Sequence, residues 1–458
     1  MNSKNASSSN VSIENIYRLD GRVPVLKAIP FGLQHVLAMF VSNLAPISIV
    51  CAAAKLADGS SISALQLASL LQSSMFVAGI ASLIQLYPVW RIGSRLPVIM
   101  GVSFTFVASL TFVASTFNYE TMIGAIIVGG CLEGCLGLSY KYWKHLISPI
   151  VSACVVTTIG FSLLSVGARS FGGGYVDDFG SPKYIIVGVV TLISCVTFNA
   201  LAKGFLKQLN VLFGLIVGYI LSIFFNMIDF SLFSHTISEI GYISLPKFLP
   251  YKPMFNMSAI IAVGIVFLVS AAETIGDTTA VVAGGLDRDI TEKEISGSLG
   301  CDGFCSAFSG LFGCTPITSF SQNVGLVAMT KVVNRFTIMF GALTLVLAGL
   351  FPPIGAFFST LPQPVLGGCT IMIFGTIVVS GMNMLGKCGF SQRNTIISAL
   401  SLSIGIGFTL EPGIFDYFPV TIKDIFAGNP VAGVFVLSML LNSILPKDMD
   451  IKKLAGVE

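Results

Sequence analysis

Apolar stretches of roughly 18 residues or more, the length that crosses a bilayer as a helix, follow one another along almost the whole of this chain. They fall near 29–54, 66–86, 96–116, 121–138, 146–167, 182–202, 208–228, 258–283, 296–312, 313–331, 336–351, 362–382, 394–410 and 429–445. In hydrocarbon each backbone N–H and C=O needs an internal partner, which leaves helices or closed barrels. With 54% of its residues hydrophobic and 10% charged, the 458-residue chain has no stretch left for a separate soluble domain. It reads as an all-α polytopic membrane protein of fourteen transmembrane segments, the third, ninth and tenth broken or marginal. The polar start, Met1 to Asp20, lacks a signal-peptide core and reads as a disordered cytoplasmic tail.

Charge placement tests the count independently. With both termini cytoplasmic, nineteen of the twenty-five Lys and Arg lie inside; Lys55, Arg169, Lys183, Lys247, Lys252 and Lys423 lie outside. Short loops obey such a positive-inside bias, and one miscounted helix would scramble its later half. The net charge of +3 therefore reflects membrane orientation and implies no nucleic-acid partner.

The tenth segment, from Gly313 to Lys331, is interrupted by Pro316, by Thr315, Thr318, Ser319 and Ser321, and by Gln322-Asn323. Thr315 to Phe320 reads as a short extended piece, and Ser321 or Gln322 as the start of a half-helix that ends near Lys331 and Arg335. Such a helix end aims free N–H groups and a positive dipole into the protein.

The halves of the chain echo each other. Pro149, Cys154, Gly160 and Ser165 recur at identical offsets as Pro364, Cys369, Gly375 and Ser380. Pro97 precedes Ser103 by six residues, as Pro316 precedes Gln322. A second copy some 215–220 residues after the first, with seven spans per copy, enters the membrane with opposite polarity. The expected fold is two inverted 7-segment repeats with short extended strands in segments 3 and 10. The two strands would pair at mid-membrane, so that N–H groups near Phe104 and Ser321 face one cavity.

Charge inside a membrane is expensive and marks a substrate or ion path by default. Four acids fall in spans, Glu133, Glu273, Asp277 and Asp302. Glu273 and Asp277, at i and i+4, share a helical face, and repulsion between their carboxylates favours holding a proton there. The expectation is Asp277 protonated, Glu273 ionised, and His35 and Asp302 completing a hydrogen-bond network for proton coupling. Glu133, among small residues in Gly129-Gly-Cys-Leu-Glu-Gly-Cys135, reads as a hydrogen-bonded packing group. His145 and His235 fall in expected loops. The ten cysteines include i, i+4 pairs at 131/135 and 301/305, but no His or acid completes a metal set, so no metal and no disulfide framework is expected. The absence of a Gly-x-x-x-x-Gly-Lys-Ser/Thr loop leaves ATP-driven transport without support, and no cofactor is implied. A membrane enzyme would need a nucleophile–base set that is not there. An inverted-repeat anion transporter is the alternative of another class, and the acidic pair Glu273 and Asp277 argues against an anion.

Gln322-Asn-Val-Gly-Leu-Val-Ala-Met-Thr-Lys331 resembles the signature of the nucleobase–ascorbate transporter (nucleobase:cation symporter-2) family. Gln34-His35, the Glu273…Asp277 segment and Asp302 are similar to further family motifs, in order and spacing, over about Ile29 to Leu445. The resemblance implies a core domain of spans 1–4 and 8–11 (29–138 and 258–351) and a gate domain of spans 5–7 and 12–14 (146–228 and 362–445). It also implies tails at 1–28 and 446–458 and a homodimer formed through the gates. It further implies that Glu273 and Gln322 grip the substrate, with Phe104, Ser321, Ser103 and Asn323 around it. Gln at position 322 goes with purines, xanthine or uric acid, whereas Glu there would look uracil-like. The expected function is then proton-coupled uptake of a purine nucleobase across the plasma membrane by alternating access. A uracil or other nucleobase permease is the neighbouring alternative. Chemistry agrees, because an ionised Glu accepts N–H bonds and a Gln offers both an acceptor and two donors to a purine edge.

Overall fold

A computed structural model describes residues 11–143 and 148–446. The expectations for the ends of both tails, for Lys4, Lys144 and His145, and for the C-terminal lysines lie outside these residues. Sixteen elements carry the spans. They are α1 (Val25–Ala53), α2 (Ala64–Leu86), β1 (Met100–Val102), α3 (Val107–Thr116), α4 (Tyr119–Leu138), α5 (Pro149–Phe171), α6 (Pro182–Leu201), α7 (Asn210–Phe224), α8 (Met257–Leu286), α9 (Glu292–Leu311), β2 (Ile317–Ser319), α10 (Ser321–Thr330), α11 (Arg335–Ala348), α12 (Gln363–Cys388), α13 (Gln392–Leu410) and α14 (Pro430–Ile444). Among the described residues eight helices are long and apolar enough to cross a membrane, or ten if two bent pairs each count as one span. The bends are 76° between α11 and Pro352–Ser359, and 100° between Val420–Phe426 and α14. The third and tenth expected spans are each a strand followed by a short helix, and the ninth and thirteenth are the more polar helices α9 and α13.

The packing partners repeat across the two halves. α1 lies on α11 as α8 lies on α4; α2 lies on α11 as α9 lies on α4; α6 pairs with α7 as α13 pairs with α14. Helices α5 and α12 pack on each other, and Pro149 and Pro364, the prolines of the sequence echo, each occupy the first turn of one of them. A proline there loses no intrahelical hydrogen bond.

At the centre β1 pairs with β2 antiparallel, Met100 opposite Ser319, Gly101 opposite Thr318 and Val102 opposite Ile317. Equivalent positions of the two copies are therefore 217 residues apart (Met100 to Ile317). The sequence pairing of Ser103 with Gln322 is two residues out of step: Ser103 matches Phe320, and Gln322 matches Thr105. Prolines mark where an extended piece begins, but backbone hydrogen bonds set register. Gly101 is required here, since a Cβ would lie 2.6 Å from Met39 Cε and 2.7 Å from the Phe320 ring.

A two-stranded ribbon in hydrocarbon leaves N–H groups on its outer edges, and side chains take them up. Met100 N–H donates to Ser82 Oγ (2.9 Å) and Val102 N–H to Asn43 Oδ1 (2.7 Å). Ile317 N–H donates to Ser306 Oγ (3.0 Å) and Ser319 N–H to Asp302 Oδ2 (3.3 Å). Three helices, α1, α2 and α9, thus hold the strands in place.

The seam between α4 and α9 is built from glycine. A Cβ on Gly303 would lie 2.0 Å from Gly134 N and 2.6 Å from Gly130 O. Gly303→Ala must push two backbones apart, and overpacking costs about 1–3 kcal/mol or more where no side chain can yield. The expected result is loss of the monodisperse protein in a thermal-stability series in detergent, with Gly264→Ala, where a Cβ meets nothing within 4 Å, as the unaffected control.

Two expectations are corrected. The N-terminal segment is not free up to Asp20: Ile13–Tyr17 forms a 3-10 helix with Ile16 buried. Asn334 donates to the carbonyls of Arg18 and Gly21, Val333 N–H to that of Ile16, and Arg335 pairs with Asp20. Ile16 and Val23 form a small cluster with Ala28 and Val332, an apolar anchor that hydropathy averaged over a polar tail conceals. His235 lies in a helix, Phe230–Ile240, and not in a loop.

Candidate functional site

The strand ends and the half-helices that follow them border a cavity of about 310 Å³. One wall is Ser103, Thr105, Glu273, Ser319, Ser321 and Gln322, with the rings of Phe104 and Phe320; the facing wall is mainly apolar, Val156 and Ile159 of α5 with Ile373 and Ile377 of α12, and includes the hydroxyls of Thr376 and Ser380. The two helix ends differ. After β1, Ser103 Oγ caps the chain by accepting from Thr105 N–H (3.3 Å), whereas no side chain caps α10 at Phe320. The first turn of α10, at Ser321 and Gln322, therefore presents its N–H groups where a ligand would sit. Phe104 lines the cavity and makes a T-shaped pair with Phe374, ring centroids 5.4 Å apart.

One chain of hydroxyls and carboxyls runs behind this wall. Thr105 Oγ1 donates to Glu273 Oε2 (2.5 Å), and Ser321 Oγ donates to Asp277 Oδ2 (2.7 Å) and lies 3.4 Å from Glu273 Oε1. Ser319 Oγ also donates to Asp277 Oδ2 (3.0 Å) and lies 3.3 Å from Thr274 Oγ1, which donates to Asp302 Oδ2. Three acids on α8 and α9 are so joined through Thr274, Ser319 and Ser321, without a cation among them. Glu273 opens on the cavity; Asp277 stands behind it and does not line it.

Of the expected site residues, Glu273, Gln322, Phe104, Ser321 and Ser103 all border the cavity, and Asp277 and Asp302 belong to the chain behind it. Asn323 and His35 go elsewhere. Asn323, on the other side of α10, is buried and turns its amide toward Met39 Sδ (3.6 Å). His35 is buried in α1, its Nδ1 unpartnered, with no hydrogen bond to Asp277 or Asp302. A motif gives adjacency along the chain, but a 100° turn per residue sends neighbours to opposite sides of a helix. Thr105, Thr274 and Ser319 carry no expectation of a role, yet Thr105 holds Glu273, and Thr274 and Ser319 connect Asp302 to Asp277. The signal for Thr274 was its place in the chain between Glu273 and Asp277, but hydroxyls in membrane helices more often bond their own backbone. A larger cavity, about 640 Å³, lies between Phe112, Phe161, Arg169 and Gln363 and contains no acidic side chain.

Residues 26–414 match the Xan_ur_permease family, described as a permease family. The chain belongs to it. The permease is 32% identical over 447 residues to the xanthine permease XanQ of Escherichia coli K12, covering 94% of each chain. Among solved structures it is similar to the transmembrane domain of the cyanobacterial bicarbonate transporter BicA, with a TM-score of 0.57 at 14% identity over 92% of this chain and 98% of that one. It is also similar to the murine anion transporter Slc26a9, with a TM-score of 0.61 at 10% identity over 96% of this chain and 73% of that one. At such identities the likeness concerns the fold alone, an inverted-repeat membrane architecture. The permease is thus a multi-pass membrane transporter of a small molecule and not an enzyme.

Proposed function

We propose that this permease takes up a purine nucleobase, xanthine or uric acid, across the plasma membrane in symport with a proton, by alternating access. The observation that carries the reading is Glu273 and Gln322 on the wall of one cavity, beside the uncapped end of α10. An ionised Glu273 accepts adjacent purine N–H groups, while Gln322 and the α10 N–H groups meet the carbonyl oxygens. The flat walls of Phe104 and the aliphatic side chains of α5 and α12 suit a bicyclic ring, and the volume is that of a small-molecule site. XanQ, 32% identical, is a xanthine permease, which supports the same class of substrate.

The moving parts follow from where the cavity sits. Spans 1–4 and 8–11 (29–138 and 258–351) form the core that holds the polar wall; spans 5–7 and 12–14 (146–228 and 362–445) form the gate that supplies the apolar wall. Sliding between these faces exposes the cavity to one side and then the other. The outward faces of α6 and α7, with Ile185, Ile186 and Ile193 of the first and Phe213, Ile216 and Ile220 of the second exposed, suit contact with lipid and with a second gate in a homodimer. Both termini face the cytoplasm, as the distribution of Lys and Arg supports.

The deciding experiment is uptake of labelled xanthine by cells that lack their own permeases, competed by unlabelled uric acid, uracil, guanine and sulfate. Uric acid should compete and sulfate should not; competition by sulfate alone would turn the reading toward an anion transporter. Within it, Gln322→Glu removes two donors and sets a second carboxylate beside Glu273. Losing a hydrogen bond and gaining repulsion in a desolvated site costs about 2–4 kcal/mol, or 30- to 1,000-fold in xanthine affinity. Unchanged xanthine affinity would remove Gln322 from the site.

A further inference from the structure

Glu133 is not the hydrogen-bonded packing group that its sequence context suggests. It is 1% exposed, on α4, and neither carboxyl oxygen has a hydrogen-bond partner. Ser270 Oγ on α8 and Asp302 Oδ1 on α9 are also buried and unpartnered. Helix register brings the three to one level. α4 runs parallel to α8, because Gly124 abuts Met254 and Gly129 abuts Phe267. Glu133, one turn past Gly129, is therefore level with the turn of α8 past Phe267, which carries Ser270. α4 runs antiparallel to α9, because Gly130 abuts Ala307 and Gly137 abuts Gly300. Gly303, wedged between Gly130 and Gly134, then puts Asp302 at the same height.

The charged groups that face Glu133 are Asp302 from α9 and Glu273 from α8, with Asp277 one turn beyond. α3 contributes no titratable side chain, and no basic group is among those acting on Glu133. A carboxylate in such a place has neither a donor nor a counter-charge, and membrane interiors do not hold one so. The neutral acid removes that cost, and two buried oxygens at its own height, Asp302 Oδ1 and Ser270 Oγ, hold no other hydrogen bond and are not bonded to Glu133 in this structure.

We propose that Glu133 is a proton-binding residue of the transport cycle, sharing one proton with Asp302 at the seam of α4, α8 and α9. This rests on the proton-coupled reading above. With the proton in place the pair carries one negative charge. When the proton leaves, two carboxylates face each other, which drives the seam to take up the next one. Asp302 leads from this seam through Thr274 and Ser319 to Asp277 and the substrate cavity.

The test compares the intact permease, Glu133→Gln and Glu133→Asp in proteoliposomes, by xanthine exchange at equal pH and by accumulation under an imposed pH gradient. One unit of gradient supports about tenfold accumulation per proton. Glu133→Gln should still exchange xanthine, at a rate reduced by about threefold or less, yet accumulate it less than about twofold. Glu133→Asp should accumulate with a displaced pH profile. Wild-type accumulation in Glu133→Gln would overturn the proposal. So would accumulation driven by sodium alone, or equal loss of exchange and accumulation in both variants, which marks a packing role. If Glu133→Gln does not reach the membrane folded, an unshifted pH profile in Glu133→Asp overturns it instead. If the intact protein exchanges no nucleobase, the purine reading fails separately. Proton uptake by the empty protein, followed with a pH dye, then decides Glu133 by its presence in the wild type and loss in Glu133→Gln.

Discussion

Glu273→Gln is expected to abolish xanthine binding. The side chain keeps its length and can still accept from Thr105, which now donates to Glu273 Oε2 at 2.5 Å. What it loses is the charge, and with it one of two acceptor oxygens offered to the purine N–H groups. A hydrogen bond to a charged partner contributes about 1.5–3 kcal/mol, and the new NH₂ faces donors where it needs an acceptor. Two such bonds amount to about 3–6 kcal/mol, a loss of two to four orders of magnitude in affinity. Equilibrium binding of labelled xanthine to purified protein measures this directly. Glu273→Asp, which keeps the charge on a shorter stem, should retain part of the affinity. A dissociation constant within threefold of the wild type in Glu273→Gln would place the substrate elsewhere.

The second large effect is expected for Asp277→Asn, and it separates binding from energy coupling. Asp277 stands behind Glu273, accepting from Ser319 and Ser321, and does not border the cavity. Asn keeps an oxygen to accept those bonds but cannot exchange a proton. Xanthine exchange should survive, while accumulation in vesicles under a one-unit pH gradient falls from about tenfold to equilibration. A protonophore should bring the wild type to the same level and leave the variant unchanged, with sodium omitted throughout. Accumulation that needs sodium and ignores the protonophore would sink the proton mechanism.

Much of this protein is legible along the chain. The apolar runs say where it crosses, because hydrocarbon admits only internally bonded backbone. Pro316 with β-branched neighbours marks an extended piece, and the strand Ile317–Ser319 and helix start at Ser321 lie inside the stretch so marked. Glu273 and Gln322 stand out because ionisable and amide side chains are costly at that depth, so their presence needs a use. These are properties of single residues in a known solvent, and no knowledge of partners is required.

Tertiary structure decided what depends on partners carried by other elements of the fold. The offset of 217 between the copies comes from strand pairing and from Ser82, Asn43, Ser306 and Asp302 taking up the edge N–H groups. The sequence echo around the prolines could only approximate it. Likewise Asn323, polar and in a recognisable motif, turns to Met39 of α1, and His35 is buried in α1 without bordering the cavity. Asn334 and Arg335 capture the N-terminal segment that composition suggests is free. Thr274 and Ser319, ordinary hydroxyls by sequence, connect the acids, and Ser321 joins them, only because three helices and a strand meet there. Burial cost is written in the residue and can be read in advance. Hydrogen-bond satisfaction is a property of pairs, and the chain reveals those pairs only once it has folded.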